Sequence, residues 1–330
     1  MKTVSAALIV TAIVFTALGN VYATSYTYTD LTYDSAPYTV ATSINNSGTI
    51  VGYIGNPSGQ STPYQGFVLS GGVYTTLSFP GARDTLAYGI SNNGAIVGRY
   101  QDATGWHGFL LNGGVYTGFD YPGAGRTDAF GINRVSESGT IVGAYGDVGW
   151  SDSSPAGWHG YTLSGGVYTA LDYPSASTIG TYAADINNSG TVVGEYYDGT
   201  GVHGFILDSG VWTTFNYPSG SGWTAGVGIS DNGAVVGYSG NLDGGTGFVL
   251  SDGVFIPLNH PGAPNTITMD INNSGEVVGY YRNPTGGITS FVATPVSEPC
   301  PVPEPSVMLF YALSLIPVAA VQMKLKCRRT

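Results

Sequence analysis

Hydrophobic residues in this chain come in short runs with no sustained helical period, and the breaks between runs are Asn, Gly, Asp and Pro. In the stretch 86–121 the runs predict four strands, at 86–90, 95–100, 108–111 and 115–121. The first two flank the tight turn Ser91-Asn92-Asn93-Gly94, whose Asn and Gly supply the positive φ that a hairpin needs. The third ends at a second hairpin signal, Asn112-Gly113-Gly114. The fourth alternates Val115, Thr117, Phe119 and Tyr121 on one face until Pro122-Gly123-Ala124 stops it.

This pattern repeats. The phrase Ile-Asn/Ser, polar turn with Gly, Ile/Val-Val-Gly stands at 44–52, 90–98, 132–143, 186–194, 229–237 and 271–279, its leading isoleucines 46, 42, 54, 43 and 42 residues apart. Four strands at about 40–45 residues is the spacing of a propeller blade. The fourth-strand phrase appears at 73–82, 115–124, 167–176, 211–220 and 254–263, and the last unit ends without one. The missing copy lies near the start, at 28–36, where Ala36 precedes Ile44 as Ala82 precedes Ile90. The expected fold is all-β: a six-bladed β-propeller of four-stranded blades, closed by an N-terminal strand over residues 24–296. The glycine of each Val-Gly step (Gly52, Gly98, Gly143, Gly194, Gly237, Gly279) is expected to let neighbouring blades approach closely.

Both ends depart from the β pattern. Lys2, an apolar run over 4–18 and the small-residue exit to Ala23 have the three parts of a secretory signal peptide, over 1–23. Residues 297–330 carry Pro303-Glu304-Pro305, an apolar run over 307–323 and a basic end with Lys324, Lys326, Arg328 and Arg329. At about 1.5 Å per residue that run spans a thin bilayer as a C-terminal transmembrane helix, with the basic end kept inside. This order of parts resembles the PEP-CTERM sorting signal of Gram-negative bacteria. The resemblance implies an exosortase-type membrane protease as partner, processing near Pro303, Glu304 and Pro305, and a final location at the cell surface or in the extracellular matrix.

Composition narrows the function. Residues 24–300 hold five arginines, no lysine and 20 of the 21 acids, a net charge of −15. Such a surface repels phosphate, so no nucleic-acid partner is expected. The two cysteines, Cys300 and Cys327, flank the apolar run, which leaves the repeat domain free of disulfides. The repeats also carry the steps His107-Gly108-Phe109, His159-Gly160-Tyr161 and His203-Gly204-Phe205, which resemble the HAF family of extracellular repeats. That resemblance implies an exported repeat protein and brings no activity with it.

Candidate chemistry is sparse. Three histidines on one zinc must lie within about 4 Å of one another, whereas equivalent positions on packed sheets lie about 10 Å apart. A repeated packing or hydrogen-bonding role fits them better, and no metal or other cofactor is expected. The runs starting at Asp185 and Asp270 begin like a calcium loop, but Tyr196 and Tyr281 stand where a bidentate Glu belongs. Asp120 and Asp172 share one repeated slot and read as structural, whereas Asp147, Asp152, Glu195 and Asp198 read as unrepeated. Insertions gather on one face of the expected disc, with Trp106, Trp150, Trp158 and Trp223 beside Arg83, Arg126 and Asp152. Trp150, Trp223, Trp106, Trp158 and Asp152 are therefore the candidate ligand-binding residues, with packing between blades as the other role open to Trp106 and Trp158. The expected function is a non-enzymatic cell-surface or matrix interaction module, engaging extracellular polysaccharide or a surface protein. The alternatives are a glycan-binding module and a polysaccharide-acting enzyme using the unrepeated acids.

Overall fold

The computed structural model describes residues 25–33, 36, 38–55, 63–133, 139–147, 157–175, 177–218, 222–240, 245–284 and 286–296. The proposed signal peptide with Ala23, the sorting segment with Pro303, Glu304 and Pro305, and the candidates Trp150 and Asp152 lie outside them. Among the described residues every named element is a strand, and no helix is long and apolar enough to cross a membrane.

The strands form antiparallel meanders of four. β1 (Tyr26–Leu31) stands apart at the start. β2 (Tyr38–Ile44), β3 (Ile50–Gly55), β4 (Gln65–Ser70) and β5 (Val73–Leu77) make the first meander, and β6 (Asp84–Ile90), β7 (Ile96–Gln101), β8 (Trp106–Asn112) and β9 (Val115–Phe119) the next. β10 (Arg126–Ile132), β11 (Ile141–Gly146), β12 (Trp158–Ser164) and β13 (Val167–Leu171) follow, then β14 (Gly180–Ile186), β15 (Val192–Asp198), β16 (Gly201–Asp208) and β17 (Val211–Phe215). β18 (Thr224–Ile229), β19 (Val235–Ser239), β20 (Thr246–Ser251) and β21 (Val254–Leu258) precede the last group, β22 (Ile267–Ile271), β23 (Val277–Arg282) and β24 (Ile288–Pro295). That group takes its fourth strand from the other end of the domain: β1 pairs with β24 from Tyr26↔Pro295 to Leu31↔Ser290. The sequence expectation of a split unit holds.

Each meander packs its first strand against its neighbours, and the circuit returns from β22 to β2. Every meander buries one aromatic completely on its third strand: Phe67, Phe109, Tyr161, Phe205, Phe248 and Phe291 are each 0 % exposed. Adjacent meanders are stapled by stacked rings. Phe79 lies on Tyr100 at 3.7 Å, Tyr121 on Tyr145 at 3.6 Å and Tyr173 on Tyr196 at 3.7 Å. His260 takes the same place against Tyr281 at 4.1 Å.

The Val-Gly glycines act differently from expectation. A Cβ on Gly98 would collide with the Leu86 carbonyl oxygen and lie 2.8 Å from the Phe109 ring, both within its own meander. These glycines make room for the buried aromatic and do not bring neighbours together. Approach between meanders falls instead on Gly131 and Gly228, where a Cβ would meet the Asp185 and Asp270 backbones at 2.7 Å. Gly98→Ala is expected to cost about 2 kcal/mol through overpacking, read as a lower urea midpoint with an unchanged slope.

Candidate functional site

Each innermost strand carries one β-bulge at the same place. On β6, Ala87 and Gly89 pair with the consecutive residues Gly98 and Val97, and Tyr88 is left unpaired between them. The same shift leaves Thr42, Phe130, Ala184, Val227 and Met269 unpaired on β2, β10, β14, β18 and β22. A bulge bends its strand and re-aims the extra side chain. All six of these residues line a single central cavity of about 170 Å³.

The rest of the wall comes from Tyr182, Glu195, Gly226 and Tyr238. Glu195 and Tyr238 occupy the position just after the Val-Gly step, and Tyr182 is the cross-strand partner of Glu195. The cavity is thus walled by Tyr88, Phe130, Tyr182 and Tyr238, with Glu195 as its one carboxyl. Glu195 is half-buried and lines the cavity. Burial pushes its carboxyl up from 4.5 to about 7, against the smaller opposing effect of the Tyr197 hydroxyl, which donates to Oε1 at 2.7 Å. Tyr197 is itself pushed far above the usual tyrosine value, first by burial and then by the neighbouring Glu195 charge.

Beside this wall, at the ends of the second strands, sits a cation–aromatic tier. Asp128, 1 % exposed, accepts from Arg126 Nη2 at 2.8 Å and from Arg99 Nη1 at 3.2 Å. The Arg99 guanidinium lies 4.3 Å from the Trp106 ring and 5.5 Å from Tyr88, and Arg126 lies 5.1 Å from Trp158. Trp158 continues to Tyr182 at 4.9 Å, and Tyr197 meets Trp223 edge-on at 6.0 Å. Three of the candidate tryptophans therefore converge around one end of the cavity. Trp158, at 3 % exposure, packs between meanders and offers no open face for a sugar. Trp106 and Trp223 are half-buried.

The unrepeated acids separate. Asp198 proves to be a repeated residue after all: it accepts from the Thr200 hydroxyl at 2.7 Å and meets His203 Nε2 at 3.2 Å, as Asp102 meets Thr104 and His107. Asp147 faces His159 Nε2 at 3.8 Å. The spacing between repeats hid this equivalence, whereas aligning DATGWH at 102–107 with DGTGVH at 198–203 would have found it. Hydrogen bonds from Thr104 hold the Asp102 carboxyl down at about 2, with a smaller contribution from His107.

The histidines have the hydrogen-bonding role that their repetition suggested. His107 Nδ1 lies 2.9 Å from Asp120, His159 Nδ1 3.0 Å from Asp172 and His203 Nδ1 2.8 Å from Asn216. Thr104, His107 and Asp120 follow one another like nucleophile, base and orienting acid. The Thr104 hydroxyl, however, already donates to Asp102, and the motif recurs with an amide as third member, so it is a loop latch. Asp185 and Asp270 are latches as well: Asp270 Oδ2 accepts from the Ser43 hydroxyl at 2.6 Å and the Ile44 amide at 2.9 Å, and Asp185 Oδ2 from the Ile229 amide at 2.9 Å. Among the described residues no three His, Cys, Asp or Glu side chains converge as a metal site.

No protein-family model and no curated protein matches the chain. Solved propellers do resemble it. A gluconolactonase from Xanthomonas campestris superposes with a TM-score of 0.47 at 13 % identity, covering 78 % of this chain and 86 % of that one. A second protein assigned to the gluconolactonases gives a TM-score of 0.47 at 13 % identity, covering 81 % and 92 %. An oligogalacturonate lyase in complex with manganese gives 0.43 at 9 %, covering 83 % and 97 %. The likeness is one of β-propeller fold. The gluconolactonases among the chains of similar fold run against the expectation of a non-enzymatic surface module.

Proposed function

We propose that this chain is an exported enzyme with a six-bladed propeller scaffold, whose central cavity carries out acid–base chemistry on a single-ring substrate with Glu195 as the proton-exchanging group. The observation that carries this reading is Glu195 itself, the one carboxyl on an aromatic wall, able to gain and lose a proton near neutrality. Six meanders and the return contact from β22 to β2 support the blade count. The size of the cavity limits the substrate: a void of about 150 Å³ accepts a benzene-sized ring, and this one is about 170 Å³.

Glycoside hydrolysis would call for two carboxyls about 5–10 Å apart. The other acid at this end, Asp128, is held by Arg99 and Arg126. Transfer of a proton by a single carboxyl, as in elimination, isomerisation or ring opening, suits the site better. Export through residues 1–23 and sorting at Pro303-Glu304-Pro305 by an exosortase-type protease belong to the same proposal. The test is turnover of ring-sized substrates as a function of pH, where a limb near pH 7 is expected. Turnover that stays flat from pH 5 to 9 would remove Glu195 from the chemistry.

A further inference from the structure

The cavity wall has three chemical peculiarities. Four of its side chains are aromatic, and aromatic faces attract cations through their quadrupoles. Its one aliphatic hydroxyl is already engaged: that of Thr42 lies at bonding distance from the carbonyls of Val51, at 3.1 Å, and Ala87, at 2.9 Å. Glu195 has no cationic partner on the wall, since no Lys, Arg or His lines it. A buried carboxylate without a counter-charge is costly, which is why this one holds its proton so firmly.

We infer that the ring-sized substrate of this cavity carries a positive charge, an ammonium group seated among Tyr88, Phe130, Tyr182 and Tyr238 with Glu195 as its counter-ion. The inference rests on the reading of this cavity as the site. The nearby guanidiniums do not fill that role. Arg99 and Arg126 converge on Asp128 and lie against Trp106, and Arg99 already presents one cation to Tyr88 at 5.5 Å. Long-range charge agrees: a chain of net charge −11 draws cations towards its openings and repels anions.

Calorimetric titration of the full chain with benzyltrimethylammonium, benzyl alcohol and phenylacetate tests this. The quaternary cation keeps its charge at every pH, so any pH dependence belongs to the protein. It is expected to bind at least tenfold more tightly than the alcohol, and to lose about tenfold or more in affinity between pH 8 and pH 5.5 as Glu195 is protonated. Glu195→Gln is expected to weaken binding and flatten that dependence, and Tyr238→Leu to weaken binding at both pH values. Equal affinity for benzyl alcohol, or preference for phenylacetate, would overturn the charge inference and leave the cavity reading intact. No binding by any of the three would overturn both.

Discussion

Glu195→Gln is expected to stabilise the fold by about 3 kcal/mol at pH 8, to leave stability unchanged near pH 4, and to lower turnover by about 10²- to 10⁴-fold. The sign follows from where the proton sits. The folded protein holds the Glu195 proton up to about pH 7, whereas the unfolded chain releases it near 4.5. Between those values the native state binds more protons, so raising the pH favours unfolding. Each unit of difference is worth about 1.4 kcal/mol, and the full penalty is present above pH 7. A glutamine never ionises and avoids it. Urea midpoints for both proteins at pH 4, 6 and 8 measure the effect, and parallel midpoints at all three would mean that Glu195 titrates normally. A gain in stability combined with a loss of turnover would mark the carboxyl as kept for function at the expense of the fold.

Removing Tyr26–Leu31 is expected to cost on the order of 5 kcal/mol, a large part of what a domain of this kind has to spare. The deletion uncovers the whole ladder on β24. It takes Tyr28 away from Phe291 at 5.5 Å and from His260 at 5.0 Å. It also takes Asp30 away from the Tyr281 hydroxyl, at 3.0 Å, and from His260 Nε2, at 3.1 Å. The bare edge would then be open to other chains. The expected outcome is a much lower unfolding midpoint by circular dichroism, with concentration-dependent aggregation. A truncated protein that unfolds at the original midpoint would show that β1 adds nothing to closure.

Much of this architecture was legible in the amino-acid sequence, because hairpin turns and alternating strands leave local marks. The Asn92-Asn93-Gly94 and Asn112-Gly113-Gly114 turns fall where the pattern placed them, and the strand borrowed from the start of the chain follows from counting phrases. Of the tryptophans singled out as candidates, Trp106 and Trp158 lie against the Arg99 and Arg126 guanidiniums and Trp223 against Tyr197, and Trp158 takes the packing role open to it. The cavity was not legible. A bulge is a shift of backbone register and has no consensus residue, so Thr42, Tyr88, Phe130, Ala184, Val227 and Met269 look like noise inside an otherwise regular strand. That irregularity was itself the available signal. In a repeat protein, a position that changes identity in every copy while its neighbours stay constant is free of the packing that holds the others. Glu195 stands at a second variable position, which reads Tyr53, Arg99, Ala144, Glu195, Tyr238 and Tyr280 around the ring, tyrosine in three copies and a different residue in each of the others. Treating it as one acid among several hid its place on the wall.

The pairing of Tyr26 with Pro295 has a mechanical consequence. The two ends of the repeat domain lie side by side at the same end of one antiparallel ladder. Tension applied between them would load the hydrogen bonds of β1 and β24 one pair at a time, as a zipper opens, instead of shearing all of them together. Closure of this kind is cooperative against heat, where the whole ladder must melt at once, and weak against pulling. A protein tethered at one end and dragged at the other would open its ring at this seam before any blade unfolded.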